Sequence, residues 1–151
     1  MKSLETEGWL PDVNVWVALC SDRHEHHTAA ASWLETIDGP IYFCRVTQMS
    51  LLRLLTNRNV MGSDVLTPVR AIATYSALRA DYRVKFAAEP AEIEERWLDM
   101  MRLPEASGSA WTDAWLAAFA ISLKAKLVSF DAGMRRWTML QPQVLTAEST
   151  E

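Results

Sequence analysis

Three aspartates stand where an apolar run gives way to a helix or a turn. Asp12 follows Trp9-Leu10-Pro11 and precedes Val13-Asn14-Val15-Trp16, Asp113 opens Ala114-Trp115-Leu116-Ala117-Ala118-Phe119, and Asp131 closes Leu127-Val128-Ser129-Phe130. A carboxylate at the C-terminal end of a buried strand faces the crevice in which open α/β sheets bind ligands. Carboxylates that converge without cysteine or histidine make a hard oxygen site, suited to Mg²⁺ or Mn²⁺ rather than to zinc. With open positions for a phosphate ester, such a site can hydrolyse phosphodiesters, and two ions about 3.5–4 Å apart would stabilise both the entering and the leaving oxygen. Each aspartate also has a plain structural role open to it. Asp12 can cap a helix at 13–20, Asp113 can complement a helix dipole, and Asp131 can form a turn.

Other side chains extend the candidate site. Asn14, two residues after Asp12, can orient a carboxylate or touch phosphate. Thr47 and Ser50 fall on the helix after the second strand, Ser129 on a late strand and Thr112 beside Asp113. Their hydroxyls can hold water at a metal or cap helices. Arg53 can bind substrate phosphate or form an ion pair. His24, His26 and His27 lack the spacing of a metal motif and read as helix-start packing. Cys20 and Cys44 sit in apolar runs without a CxxC pattern and read as small buried hydrophobes. Trp33 and Trp97 fall on apolar helix faces, whereas Trp9, Trp111 and Trp137 flank the aspartates, where base stacking and burial are equally open.

The elements that must position these groups alternate. Strands are expected at 9–12, 41–44, 83–86 (an edge strand), 127–130 and 143–145. Between them the 3.6-residue spacing of apolar side chains predicts helices at 13–20 and 26–37, one capped by Thr47, and one begun by Thr67-Pro68. A further helix starts near Pro90 and buries Ile93, Trp97, Leu98 and Met101, and another, capped by Ser109 or Thr112, runs to Lys124. A short helix follows at 132–137. Strand–helix alternation predicts an α/β fold with a parallel sheet, right-handed crossovers and helices on both faces.

The 151 residues are expected to form one domain, 1–151, of the soluble globular kind, with 50% hydrophobic and 23% charged residues. No apolar stretch is long enough to span a bilayer, and residues 1–7 lack the apolar core of a signal peptide, so a cytoplasmic location is expected. The formal charge of −4 argues against nucleic-acid binding by global attraction. Glu89, Glu92, Glu94, Glu95 and Asp99, against Arg96, account for all of it. Arg45, Arg53, Arg58, Arg70, Arg79 and other basic residues remain free to build a local basic rim. No Gly-rich phosphate loop or GxSxG elbow is present, which sets aside other hydrolase classes.

Four segments in order resemble the PIN-domain family, and its VapC-like ribonuclease toxins in particular. They are Leu-Pro-Asp-Val-Asn-Val at 10–15, Arg-Val-Thr-Gln-Met-Ser-Leu-Leu-Arg-Leu-Leu-Thr-Asn at 45–57, Trp-Thr-Asp-Ala-Trp-Leu-Ala-Ala-Phe-Ala at 111–120 and Leu-Val-Ser-Phe-Asp-Ala-Gly-Met at 127–134. The similarity runs over about residues 8–146. It implies an α/β/α sandwich with a mainly parallel sheet of four to five strands, and Mg²⁺- or Mn²⁺-dependent endoribonuclease activity. It also implies a VapB-like antitoxin whose C-terminal segment covers the active-site groove, and a homodimer. Asp12, Asp113 and Asp131 would then be the catalytic metal ligands, and Asn14 would lie near the phosphate. One departure stands out. The family commonly carries a glutamate about three residues after the threonine of the helix that follows the second strand; here that slot is Ser50, with no acid between Ile41 and Val60. The alternative implied is a catalytically silent PIN-like module that binds RNA or protein.

Overall fold

In the computed structural model, which describes residues 7–147, the chain alternates short strands with helices. The strands are β1 (Trp9–Pro11), β2 (Ile41–Phe43), β3 (Val84–Phe86), β4 (Lys126–Ser129) and β5 (Gln143–Val144). They form one sheet of order β3-β2-β1-β4-β5 in which every pairing is parallel. The helices are α1 (Val13–Cys20), α2 (His27–Thr36), α3 (Arg45–Leu55), α4 (Arg58–Met61), α5 (Pro68–Arg79), α6 (Ile93–Met101) and α7 (Trp111–Leu123), with 3-10 turns at Gly62–Asp64 and Ala132–Arg136. This is the α/β/α sandwich expected, and β3 is an edge strand as its alternating sequence suggested. No helix among the described residues is long and apolar enough to cross a membrane. Residues 1–6, within the segment read as lacking a signal-peptide core, lie outside the described residues.

The period-2 direction of strand side chains divides the core in two. Leu10 and Leu127 point into a cluster with Phe119, Met134 and Trp137 beneath α6 and α7. Ile41, Phe43 and Val128 point the other way, into a cluster with Val15, Trp16, Leu51 and Leu55 from α1 and α3. Trp16 stacks on Phe43 with ring centroids 3.9 Å apart. Each fully buried aliphatic or aromatic side chain of this kind contributes about 1.5–3 kcal/mol, so the sheet is fixed from both faces and its C-terminal edge is a rigid rim. Gly8, at φ +136°, leads into β1; a Cβ there would lie 2.7 Å from the Tyr42 ring and 2.8 Å from the Pro40 carbonyl.

Helix starts differ from the sequence expectation in three places. α3 begins at Arg45, before Thr47, because Cys44 is its N-cap: Thr47 Oγ1 accepts from the Cys44 backbone N–H at 3.1 Å, closing a capping box. α6 begins at Ile93, its first N–H taken by the Pro90 carbonyl at 3.3 Å. It buries Ile93 and Met100, with Trp97, Leu98 and Met101 half-buried. α7 begins at Trp111 with Ala110 as a cap that offers no side chain. Ser109 pairs with Ser107 at 3.1 Å instead, and Thr112 is already the second helical residue.

Candidate active site

β1 and β4 are parallel neighbours, with Pro11 opposite Val128, so the residues that follow them leave the sheet side by side. Asp12 is the N-cap of α1, and its Oδ1 accepts the Val13 N–H at 2.8 Å. Its Oδ2 accepts the Ser129 hydroxyl at 2.8 Å. Ser129 is fully buried, and its Oγ in turn accepts Asn14 Nδ2 at 3.1 Å and the Asp131 N–H at 2.9 Å. Asn14 Oδ1 accepts the Phe130 N–H at 3.2 Å, so both ends of that amide are engaged. Asp131 caps the following 3-10 turn through Oδ1, which accepts the Gly133 N–H at 2.8 Å. At Gly133 a Cβ would lie 2.6 Å from Arg136 Nη2 and 2.9 Å from Asp131 Oδ1, so a larger residue there displaces the ends of these two side chains.

Asp113 enters from α7, in its first turn. Arg136 is the nearest cation, with Nη2 4.0 Å from Asp113 Oδ2, and it is braced by a bond from its Nε to the Gly133 carbonyl at 2.7 Å and by the Trp137 ring 4.9 Å away. Burial pushes the Asp12 carboxyl above its ordinary range; the Ser129 and Val13 hydrogen bonds oppose this, and the charges of Asp113 and Asp131 add to it. Asp113 is likewise raised, by desolvation and then by Asp131, with Arg136 opposing. The carboxylates therefore feel one another's charge, and one guanidinium offsets them only in part. Caps and ligands are not exclusive here, since capping occupies a single oxygen of Asp12 or of Asp131.

The donor set suits a hard divalent cation: it is all oxygen, anionic and under mutual repulsion that a cation relieves. Among the described residues, no three His, Cys, Asp or Glu side chains already close on a common point as a metal cage.

The other sequence candidates separate. Thr47 is buried in the capping box and faces away from solvent. Ser50 is half-buried and makes no side-chain hydrogen bond among the described residues. Arg53 is exposed in the last turn of α3, on the side opposite the buried Leu51 and Leu55. Thr112 is exposed beside Asp113. His27 bonds the Ala18 carbonyl through Nδ1 at 2.8 Å and His26 stacks on Phe130 at 4.4 Å, which is the packing role expected. Cys44 is buried and both cysteines are free thiols. Of the flanking tryptophans, Trp137 is fully buried, Trp9 packs edge-on against Trp33 and Trp111 is exposed. Sequence reasoning places Arg136 only among the many basic residues of a local rim, without its link to Asp113, and it undervalues Ser129.

Ser129→Ala tests that hub. It strips one hydrogen bond from the Asp12 carboxylate and leaves the Asp131 N–H without its acceptor, so a loss of about 2–3 kcal/mol is expected, about 4–12 °C in melting temperature. Thermal unfolding followed by circular dichroism reads it directly, and an unchanged midpoint contradicts the hub.

The carboxylate-rimmed parallel sandwich defines a class of protein. The family model described as PIN domain matches residues 10–138, and the chain belongs to the PIN-domain family. Within that family it is similar to Ribonuclease VapC41 of Mycobacterium tuberculosis, at 42% identity over 142 residues, covering 90% of this chain and 97% of the relative. Solved structures share the fold. VapBC-1 from nontypeable Haemophilus influenzae aligns with a TM-score of 0.65 at 18% identity, over 90% of this chain and 96% of that one. Mycobacterium tuberculosis VapC20, described as a sarcin–ricin loop cleaving toxin, gives 0.62 at 19%, over 84% and 92%.

Proposed function

We propose that the chain is a metal-dependent endoribonuclease, the toxin half of a VapC-type toxin–antitoxin pair, with Asp12, Asp113 and Asp131 as ligands of Mg²⁺ or Mn²⁺. The single observation that supports the site best is the juxtaposition of Asp12 and Asp131 at the ends of adjacent strands, tied through Ser129, with Asp113 close enough to raise its neighbour's proton affinity. Kinship to VapC41 supports the activity, and the VapBC-1 fold likeness supports an antitoxin partner.

When bound, such an ion polarises a phosphoryl oxygen and makes a water acidic enough to ionise near neutral pH. The chain's own residues hold the geometry. Ser129 and the Val13 N–H fix both Asp12 oxygens, so this carboxylate keeps its place when a polyanion arrives. Asn14 is a strut between β4 and α1 rather than a free phosphate contact, because its amide is spent on Ser129 and Phe130. Arg136 leans on Asp113 and can meet negative charge that develops on phosphate.

The test is incubation of purified, antitoxin-free protein with mixed RNAs in Mg²⁺, Mn²⁺ or EDTA. Cleavage in the metal buffers and none in EDTA is expected. Ser50, standing where the family has an acid, favours one other reading, a silent RNA-binding module. RNA bound but never cut under either ion would put that reading in place of the first.

A further inference from the structure

A second group of charges lies at the same edge of the sheet. Arg45 opens α3 just past β2, and Arg79 ends α5 shortly before β3. Their guanidinium carbons lie 4.7 Å and 5.9 Å from the centroid of the Phe86 ring, at the C-terminal end of β3. Arg79 also lies 5.8 Å from the Tyr75 ring. The hydrogen bonds of both arginines go to neutral groups. Arg45 Nη1 donates to Gln48 Oε1, Arg79 Nη1 donates to the Tyr75 hydroxyl at 2.7 Å, and Gln48 Nε2 donates to that same oxygen at 3.1 Å.

Among the described residues neither arginine has a carboxylate partner. From Ile41 to Ala80 the sole acid is Asp64, which is engaged by Arg23 at 2.5 Å. Two like charges are thus held against one aromatic ring, each with most of its five N–H donors unspent, both exposed to solvent. Such an arrangement is stable as a pair only weakly, and it fits an anionic oxygen ligand that neutralises both planes at once. Its position gives the ligand's identity. β2 alone separates β3 from β1, so the end of β3 that carries Phe86 stands about 10 Å, two strand spacings, from the end of β1 that leads into Asp12. A substrate polyanion is repelled by the carboxylates there and by the net charge of −4, and needs a cationic hold beside them.

We infer that Arg45 and Arg79, braced on Phe86, clamp a phosphodiester of single-stranded RNA a few nucleotides from the bond at the carboxylate edge. This rests on the nuclease reading of that edge.

The experiment is fluorescence anisotropy of a fluorescein-labelled single-stranded RNA with the full chain in EDTA, where cleavage does not intervene. It compares wild type, Arg45→Gln, Arg79→Gln, the double glutamine variant and the double lysine variant across a salt series. The double glutamine variant is expected to bind about tenfold more weakly at about 0.1 M salt, with a log–log salt slope shallower by about 0.7, the value for one phosphate contact on a single strand. The lysine pair keeps the slope and loses part of the affinity, because a point charge replaces a planar fork. With Mn²⁺ restored, the glutamine pair raises KM and leaves kcat in place. Unchanged affinity and slope in the double glutamine variant overturn the clamp. Loss of antitoxin binding with RNA binding intact also overturns it, in favour of an acidic protein segment. The two readings fail separately: RNA held through the arginines but never cut removes the nuclease and leaves the clamp, while RNA cut by a protein indifferent to both arginines does the reverse.

Discussion

Asp12→Asn is expected to abolish metal-dependent RNA cleavage, by on the order of a hundredfold or more, while the protein stays folded. Asparagine is as good an N-cap as aspartate, so the bond from the Val13 N–H survives. The Ser129 bond is weakened, because that Oγ already accepts from Asn14 Nδ2 and the Asp131 N–H and has no lone pair left for an amide N–H in place of Oδ2. What disappears is the negative oxygen, and with it the affinity for a hard cation. Cleavage assays and thermal unfolding of the same preparation separate the roles. Lost cleavage with a melting point in EDTA that falls by no more than about 6 °C, the cost of one hydrogen bond, assigns Asp12 to the metal site. Lost cleavage together with a collapse of the melting point would make it a cap and nothing more. Asp113→Asn is expected to behave in the same way, since its carboxylate caps nothing.

The second large effect is stabilisation by the ion itself, with a definite dependence on pH. Asp12 and Asp113 have carboxyls raised above the unfolded value of 3.8, mainly by desolvation. A group raised on folding favours the folded state fully below its unfolded pKa, and that contribution is lost as pH rises through the folded value. As pH rises through the folded values both ionise, and the metal-free protein then carries their repulsion, which asparagine at either position relieves. A dication binds the ionised form. Mn²⁺ at a hundredfold excess over its dissociation constant adds about 2.7 kcal/mol, about 5–11 °C for a domain of this size. The shift should be large at pH 7.5 and shrink towards pH 4, where protons compete for the same oxygens. It should vanish in Asp12→Asn and Asp113→Asn. A shift equal in all three proteins, or one that grows on acidification, contradicts a carboxylate site.

Much of this was legible in the residues. Apolar runs that stop at an aspartate place Asp12 and Asp131 at strand ends, and strand–helix alternation makes those strands parallel and their ends coincident. Helix starts were harder, because a strong local signal can stand one turn away from the cap. Thr47 reads as a cap, yet it is the third residue of α3 and reaches back to an atypical cap, Cys44. For the arginines, residue type yields a basic rim but not its place in the fold. Arg53 and Arg45 lie on one helix with the same chemistry, and only the pairing of β2 with β3, which sets Phe86 beside the start of α3, selects Arg45. Arg136 depends in the same way on the bend at Gly133, whose carbonyl accepts from its Nε. Residue type gave the carboxylates; three-dimensional register was needed for the cations.

The Ser129–Asp12 bond spans 117 positions of the chain. Its donor strand is made long after its acceptor strand, and β1 has no β4 to lie beside until then. A chain growing on the ribosome therefore carries Asp12 through most of its synthesis as an isolated carboxylate. The carboxylates of β1 and β4 come together only when nearly the whole polypeptide has emerged, so a chain that stops before β4 lacks the juxtaposition of Asp12 with Asp131.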